Sequence, residues 1–261
     1  MSIRSCFERS ALVIALSLTL APRLFAQDPF ELEVYTPAIA APGEWELGFN
    51  ANYVADGRTT FDGPLAPTDR QGRLSVELTH GVTSLWEVSA YGLAASRPGS
   101  GAEWAGWRVR TRLRAPDHWR LPVQLGLNFE FSQIKTRYSE HGRAIEFAPT
   151  VGWRSGRLGL AANVPFERSV GSAGEQEWEV EPRARLDLIL GRRVTWTTEY
   201  FTGLGSLEQI DPLEAQRHLL FPGVALHLGD DIEWTAAVGF GLTDASDRMI
   251  LKTAIEFPLH E

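Results

Sequence analysis

Apolar and polar residues alternate with a period of two from Glu44 to the end of the chain, the mark of extended segments with one apolar face. In the first segment Trp45, Leu47, Phe49, Ala51 and Tyr53 share one face, and Glu44, Glu46, Gly48, Asn50 and Asn52 share the other. The pattern returns around Val76, Val88, Val109, Leu127, Phe147, Leu160, Leu186, Thr198, Leu226, Ala236 and Leu251, which makes twelve predicted strands. Each is about ten residues long, the length a tilted strand needs to cross a bilayer, whereas strands of soluble proteins run nearer five or six. Alternation alone does not separate a transmembrane barrel from a soluble β-sandwich or a lipocalin-like barrel.

The connections supply the distinction. Those at 80–84, 115–121, 154–157, 191–193 and 229–231 are short, and those at 55–69, 96–103, 133–142, 167–177 and 203–215 are longer and polar. They alternate in chain order, as the periplasmic turns and outer loops of transmembrane barrels do; the last, at 243–247, falls in a long position but is short. This order predicts periplasmic termini. It also places Trp45, Trp86, Trp153, Trp196, Trp234 and Phe257 at the periplasmic ends of the strands, and Tyr53, Trp107, Phe131, Phe166, Trp178, Tyr200 and Phe240 at the outer ends. All lie on the apolar face, forming two predicted girdles at headgroup depth, where amphipathic rings are favoured. The fold expected is all-β, an up-and-down antiparallel transmembrane barrel of about twelve strands in lipid and lipopolysaccharide, inserted by barrel-assembly machinery.

If the apolar face meets lipid, the opposite face lines the lumen. The fourth strand presents Arg108, Arg110, Arg112 and Arg114 there, a ladder roughly 20 Å long at about 6.8 Å per step. Beside it stand Glu87 and Glu130, two acids for four arginines, and the eighth strand carries Glu179, Glu181, Arg183, Arg185 and Asp187. The surplus positive charge is expected to be met across the lumen by the eighth strand or by mobile anions. Two readings follow: a narrow aqueous path whose arginine stripe guides small polar or anionic solutes, or a sealed structural or adhesion barrel whose charges neutralise one another in place of a core. About eight strands enclose just enough room for side chains and sixteen leave a channel, so twelve strands admit both. The pore is the reading carried forward.

The first 26 residues read as a secretory leader: Arg4 and Arg9, an apolar run from Ala11 to Ala21, and Ala26 at a cleavage point before Gln27. Residues 27–43 are expected as an N-terminal periplasmic segment and 44–261 as the barrel. The single cysteine, Cys6, falls in the leader, so the mature chain offers no thiol, disulfide or cysteine-based metal site. Removing Arg4, Arg9, Arg23 and Glu8 with the leader leaves 22 basic and 32 acidic residues, a formal charge of −10. That balance argues against nucleic acid as a partner.

No Gly-x-Ser-x-Gly, His-Glu-x-x-His or phosphate-cradling glycine loop is present, and no cofactor or metal is expected. His141, beside Ser139 and Glu140, and His218 lie near predicted outer loops, where a barrel enzyme would keep its site; solvated loop histidines are the commoner case. Acidic loop residues such as Asp56, Asp62, Asp69, Asp244 and Asp247 suit divalent cations among lipopolysaccharide phosphates, and equally suit ordinary solubility.

Two stretches carry a family resemblance: Asp28-Pro29-Phe30-Glu31 leading through Thr36-Pro37 to 42–47 (PGEWEL), and 239–247 (GFGLTDASD). With turns such as His80-Gly81-Val82-Thr83, they resemble an uncharacterised family of proteobacterial outer-membrane proteins, similar to barrel proteins named for the meta pathway of phenol degradation. The resemblance implies a barrel and passage of small or aromatic molecules, and it brings no catalytic residues.

Overall fold

The computed structural model describes residues 30–171, 177–229 and 232–259; the leader expected at 1–26 lies outside them. Among the described residues no helix is long and apolar enough to cross a membrane. The chain instead forms β1 (Trp45–Asp56), β2 (Gly72–Thr83), β3 (Trp86–Arg97), β4 (Gly101–Arg114), β5 (Gln124–Ile134), β6 (Arg143–Ser155), β7 (Leu158–Asn163), β8 (Phe166–Ser169), β9 (Glu179–Val180), β10 (Arg183–Ile189), β11 (Val194–Gly203), β12 (Arg217–His227), β13 (Glu233–Gly241) and β14 (Met249–Pro258). β7 and β8 are two halves of one stave, interrupted at Val164-Pro165, and β9 and β10 are halves of the next, interrupted at Glu181-Pro182. Proline has no N–H to give the ladder, yet the register continues: Asn163 faces Arg183 and Phe166 faces Val180. The fourteen segments are therefore twelve antiparallel staves, and the pairing of β1 with β14 closes the sheet into a barrel.

The molecule is inside-out relative to a soluble domain. Val109, Leu113, Leu125, Phe129, Leu160 and Leu251 are exposed on the outer wall, while Arg108, Arg110, Glu87, Glu199, Asn163 and Arg183 are buried within. Lipid rewards that arrangement, because a closed sheet leaves no backbone group unpaired in hydrocarbon. In the outer wall three indole N–H groups donate to threonine hydroxyls: Trp86 to Thr111 (2.6 Å), Trp196 to Thr198 (3.0 Å) and Trp234 to Thr253 (2.8 Å).

Two expectations are corrected. The connection between β3 and β4 is a tight hairpin rather than a long loop, because both strands run on beyond the expected boundary and the positive φ of Gly99 (80°) and Gly101 (65°) allows the reversal. And residues 30–40, unlike the exposed 41–43, do not lie outside the barrel. They enter the lumen as a strap, running from the β1 end up to Phe30, which packs edge-on against Tyr138 at 6.3 Å. The physical reason is charge: the lumen holds guanidiniums that need carboxylates and carbonyls, and the strap brings both.

Candidate functional site: a strapped lumen

The strap is tied to the wall almost entirely by side chains of the wall. Glu31, 1% exposed, accepts from Arg108 (2.7 Å) and Arg110 (3.2 Å). The Arg112 guanidinium donates to the carbonyls of Thr36 (2.5 Å) and Ala38 (2.6 Å). Asn163 accepts from the Tyr35 N–H and donates to the Tyr35 carbonyl, both at 2.8 Å. Glu199 accepts from the Val34 N–H (3.1 Å), Glu87 from the Ala40 N–H (2.7 Å), and the Lys252 ammonium donates to the Leu32 carbonyl (2.5 Å). Two glycines make room: a Cβ on Gly152 would meet the Pro37 ring at 2.6 Å, and one on Gly81 would meet the Ala41 carbonyl oxygen at 2.0 Å.

The arginine ladder is met differently from what strand neighbours alone suggest. Arg108 pairs with Glu31 and Glu130 (3.3 Å), Arg110 with Glu31 and Glu77 (2.5 Å), Arg112 with Glu87 (2.9 Å) and Arg114 with Asp117. The strap, the second strand and the turn at Asp117–Trp119 thus supply what the eighth predicted strand was expected to supply. Tyrosine rings sit between successive guanidiniums, Tyr91 within 5.4 Å of Arg108 and 5.1 Å of Arg110, Tyr35 within 4.5 Å of Arg110 and 5.3 Å of Arg112. Their negative faces lower the mutual repulsion of the stacked cations. The eighth-strand residues form their own network: Arg183 with Glu181 (2.9 Å), Arg185 with Asp187 (2.8 Å), and Glu179 with His141 (3.3 Å).

On either side of the strap the lumen is hollow. An inner cavity of about 440 Å³ lies between the strap and the lower walls of β1, β11, β13 and β14, and an outer one of about 520 Å³ lies under the loops around Arg58, Arg137 and Asp244. Leu32 lines both. Around it gathers an apolar collar of Val34, Val54, Phe201, Leu219, Phe221 and Ile250, so the partition between the cavities is oily and its surroundings are charged. This collar, Lys252, Asn163 and the attachment of the strap to the predicted lumen residues Arg108, Arg110, Arg112 and Glu87 were missed from sequence. The available signal was a doubled apolar step at Tyr200-Phe201 and Leu219-Leu220-Phe221, where strict alternation should have put a polar residue inward.

Of the girdle residues, Trp45, Trp86, Trp153 and Trp196 near one end and Tyr53, Trp107 and Phe240 near the other are exposed on the outer wall; Phe131, Trp178, Tyr200, Trp234 and Phe257 are half-buried. Trp45 stacks on His80 at 4.3 Å, and Trp107 leans on Phe131 at 5.6 Å.

Near the outer loops, His141 is connected as in a hydrolytic triad, with Nδ1 2.5 Å from Ser169 Oγ and Nε2 3.3 Å from Glu179. Its electrostatics are wrong for a base. Burial would lower its pKa, but the hydrogen bond to Glu179 and the charges of Glu167, Glu179 and Glu140 override that and hold it up to about 9. The ring at neutral pH is an imidazolium with no lone pair to take a proton, and its neighbours Ser169 and Glu179 are buried. The cluster ties the loop after β5 to β8 and β9.

No family model matches the chain, and no curated protein matches it. Solved structures do. The KdgM porin superposes with a TM-score of 0.58 at 7% identity over 82% of this chain and 99% of that one. An outer-membrane channel from Pseudomonas putida F1 gives 0.58 at 11% identity over 90% and 100%, and the NanC porin 0.53 at 9% over 82% and 100%. The likeness is one of fold: the chain shares the architecture of these porin-like barrels.

Proposed function

We propose that the chain is an outer-membrane pore for small polar solutes, charged ones included, held shut in this state by its own N-terminal strap. The observation that carries the reading is the pair of hollows, one on each side of a partition that the strap completes by packing Leu32 and Val34 against wall residues. A sealed structural barrel has no use for such hollows, since side chains filling the lumen would stabilise it better. From Glu31 to Ala40 every polar tie among the described residues involves a wall side chain, so that stretch can leave without disturbing any strand pairing, while the backbone bond from Gly43 to Gly81 holds its base. Passage, not catalysis, is the activity proposed, in keeping with a His141 held as a cation by its carboxylate neighbours.

A second reading concerns solute class. The apolar collar around Leu32 gives an aromatic molecule a place between two polar hollows, in line with the resemblance to barrel proteins named for the meta pathway of phenol degradation. Conductance in planar bilayers, with and without aromatic and ionic solutes, tests both: current through the strap-released barrel supports the pore, and none under any condition refutes it.

A further inference from the structure

The charges of the inner cavity do not cancel. Its wall carries eight carboxylates against four basic side chains. Five of the acids have cationic partners: Glu77 with Arg110, Glu87 with Arg112, Asp187 with Arg185, Glu199 with Lys252, and Glu233 with His227 (3.5 Å) and Arg185 (4.0 Å). Glu33 on the strap, Glu46 on β1 and Glu256 on β14 have no basic group within 4.0 Å among the described residues. Arg154, exposed at the rim, is the basic side chain of this wall in the same position.

Besides these acids, the cavity presents an oxygen with nothing to bind. Thr197, 4% exposed and lining the same space between Asp187 and Glu199, has a buried hydroxyl with no hydrogen-bond partner. Glu256 stands opposite Gly48 on the neighbouring strand, two residues along from Glu46, so both carboxylates face the same space. The chain also shows how this lumen treats an ammonium. Lys252 is held by the Glu199 carboxylate, the Leu32 carbonyl and the faces of Phe201 (5.4 Å) and Phe221 (5.2 Å).

We infer that the inner cavity is a cation-selective chamber that takes small organic ammonium ions, with Glu33, Glu46 and Glu256 as the residues that set the preference. A compact metal ion is the wrong guest, because no three acidic or histidine side chains among the described residues converge tightly enough to ligate one. A diammonium ion has several N–H donors spread over a few ångströms and matches separated carboxylates in a cavity of about 440 Å³. An anion finds Arg154 and one hydroxyl. The ladder that would have attracted it is already neutralised by Glu31, Glu77, Glu87, Glu130 and Asp117.

The inference rests on the pore reading for its transport consequence and not for its binding one, so two measurements separate them. In planar bilayers, the strap-loosened Glu31→Ala barrel in a potassium chloride gradient should give a cation-to-anion permeability ratio above one, falling roughly twofold or more on adding Glu46→Gln or Glu256→Gln, both on the wall. By titration calorimetry on the folded full chain, 1,4-diaminobutane should bind and succinate should not, and either substitution should weaken the diamine severalfold. Heat-modifiable gel migration controls for folding. Anion preference, or diamine affinity unchanged by both substitutions, overturns the inference. Absence of current in every variant refutes the pore while the calorimetry still decides the chamber.

Discussion

Replacing Glu31 by Ala removes the ion pairs that tie the strap to the wall among the described residues. Its carboxylate, 1% exposed, takes charge-assisted hydrogen bonds from Arg108 at 2.7 Å and Arg110 at 3.2 Å. Breaking a buried pair costs about 3 to 5 kcal/mol when the abandoned charge is left alone. Here each arginine keeps another carboxylate, Glu130 at 3.3 Å and Glu77 at 2.5 Å, so the lower end applies, about 3 kcal/mol. At about 1.4 kcal/mol per factor of ten, the ratio of docked to undocked strap should fall roughly a hundredfold. The loss belongs to docking and not to the barrel, whose ladders are untouched. Single-channel recording should therefore show a higher open probability. Hydrogen exchange at Val34, Tyr35 and Ala40, whose amides donate to wall side chains, should accelerate while exchange in β4 and β5 stays slow. Glu31→Gln, which keeps acceptor geometry, should fall between. If Glu31→Ala lowers barrel stability yet leaves conductance and strap exchange unchanged, Glu31 is part of the wall and the gating argument fails.

Other consequences follow from the same geometry. Gly152→Leu should push Pro37 from its seat and raise open probability with strand pairing intact, read by conductance and gel migration. Val109→Arg, on the exposed belt, should cost about 2 to 4 kcal/mol near midplane, whereas Asn50→Arg, facing the acidic inner cavity, should cost little; urea-induced unfolding in liposomes measures both. His141, raised by its partners to about 9, stabilises its loop fully below its ordinary value near 6.5. That contribution is lost as the pH rises through about 9, so protease access to residues 135–142 should increase over that window and be pH-independent in His141→Ala. An epitope at Pro64 should be labelled on whole cells and one at Ser155 should not, which tests the direction of the barrel.

The wall was legible because lipid imposes period two on every strand: Leu74 and Leu78, Val109 and Leu113, Leu186 and Leu188 must all face outward. Hairpin order followed from connection length, except at Gly99 and Gly101, where polar composition suggested a loop and two glycines made a turn. The strap was not legible. Its residues have no period, and most of its bonds use backbone groups that every sequence shares; only Glu31 carried information, and it was read as part of a tail. The lumen was half-legible, since Arg108 to Arg114 stood out while their partners Glu31 and Glu77 lie 77 and 33 residues away from the arginines they meet. Packing of the lumen at Thr79 and Asn128, 4% and 2% exposed, is likewise invisible in an alternating pattern, so arginine there would be costly too.

The central claim is that movement of the strap opens the pore, and a reversible tether tests it most directly. A Cβ built on Gly126 lies 3.5 Å from that of Pro37, within the span of a disulfide, and Cys6, in the stretch expected to be a leader, is the sequence's single cysteine. Conductance of a Pro37→Cys, Gly126→Cys barrel carrying Glu31→Ala is then recorded before and after reduction. The account predicts a silent channel when oxidised and openings that appear on adding dithiothreitol. Equal current in both states would contradict it.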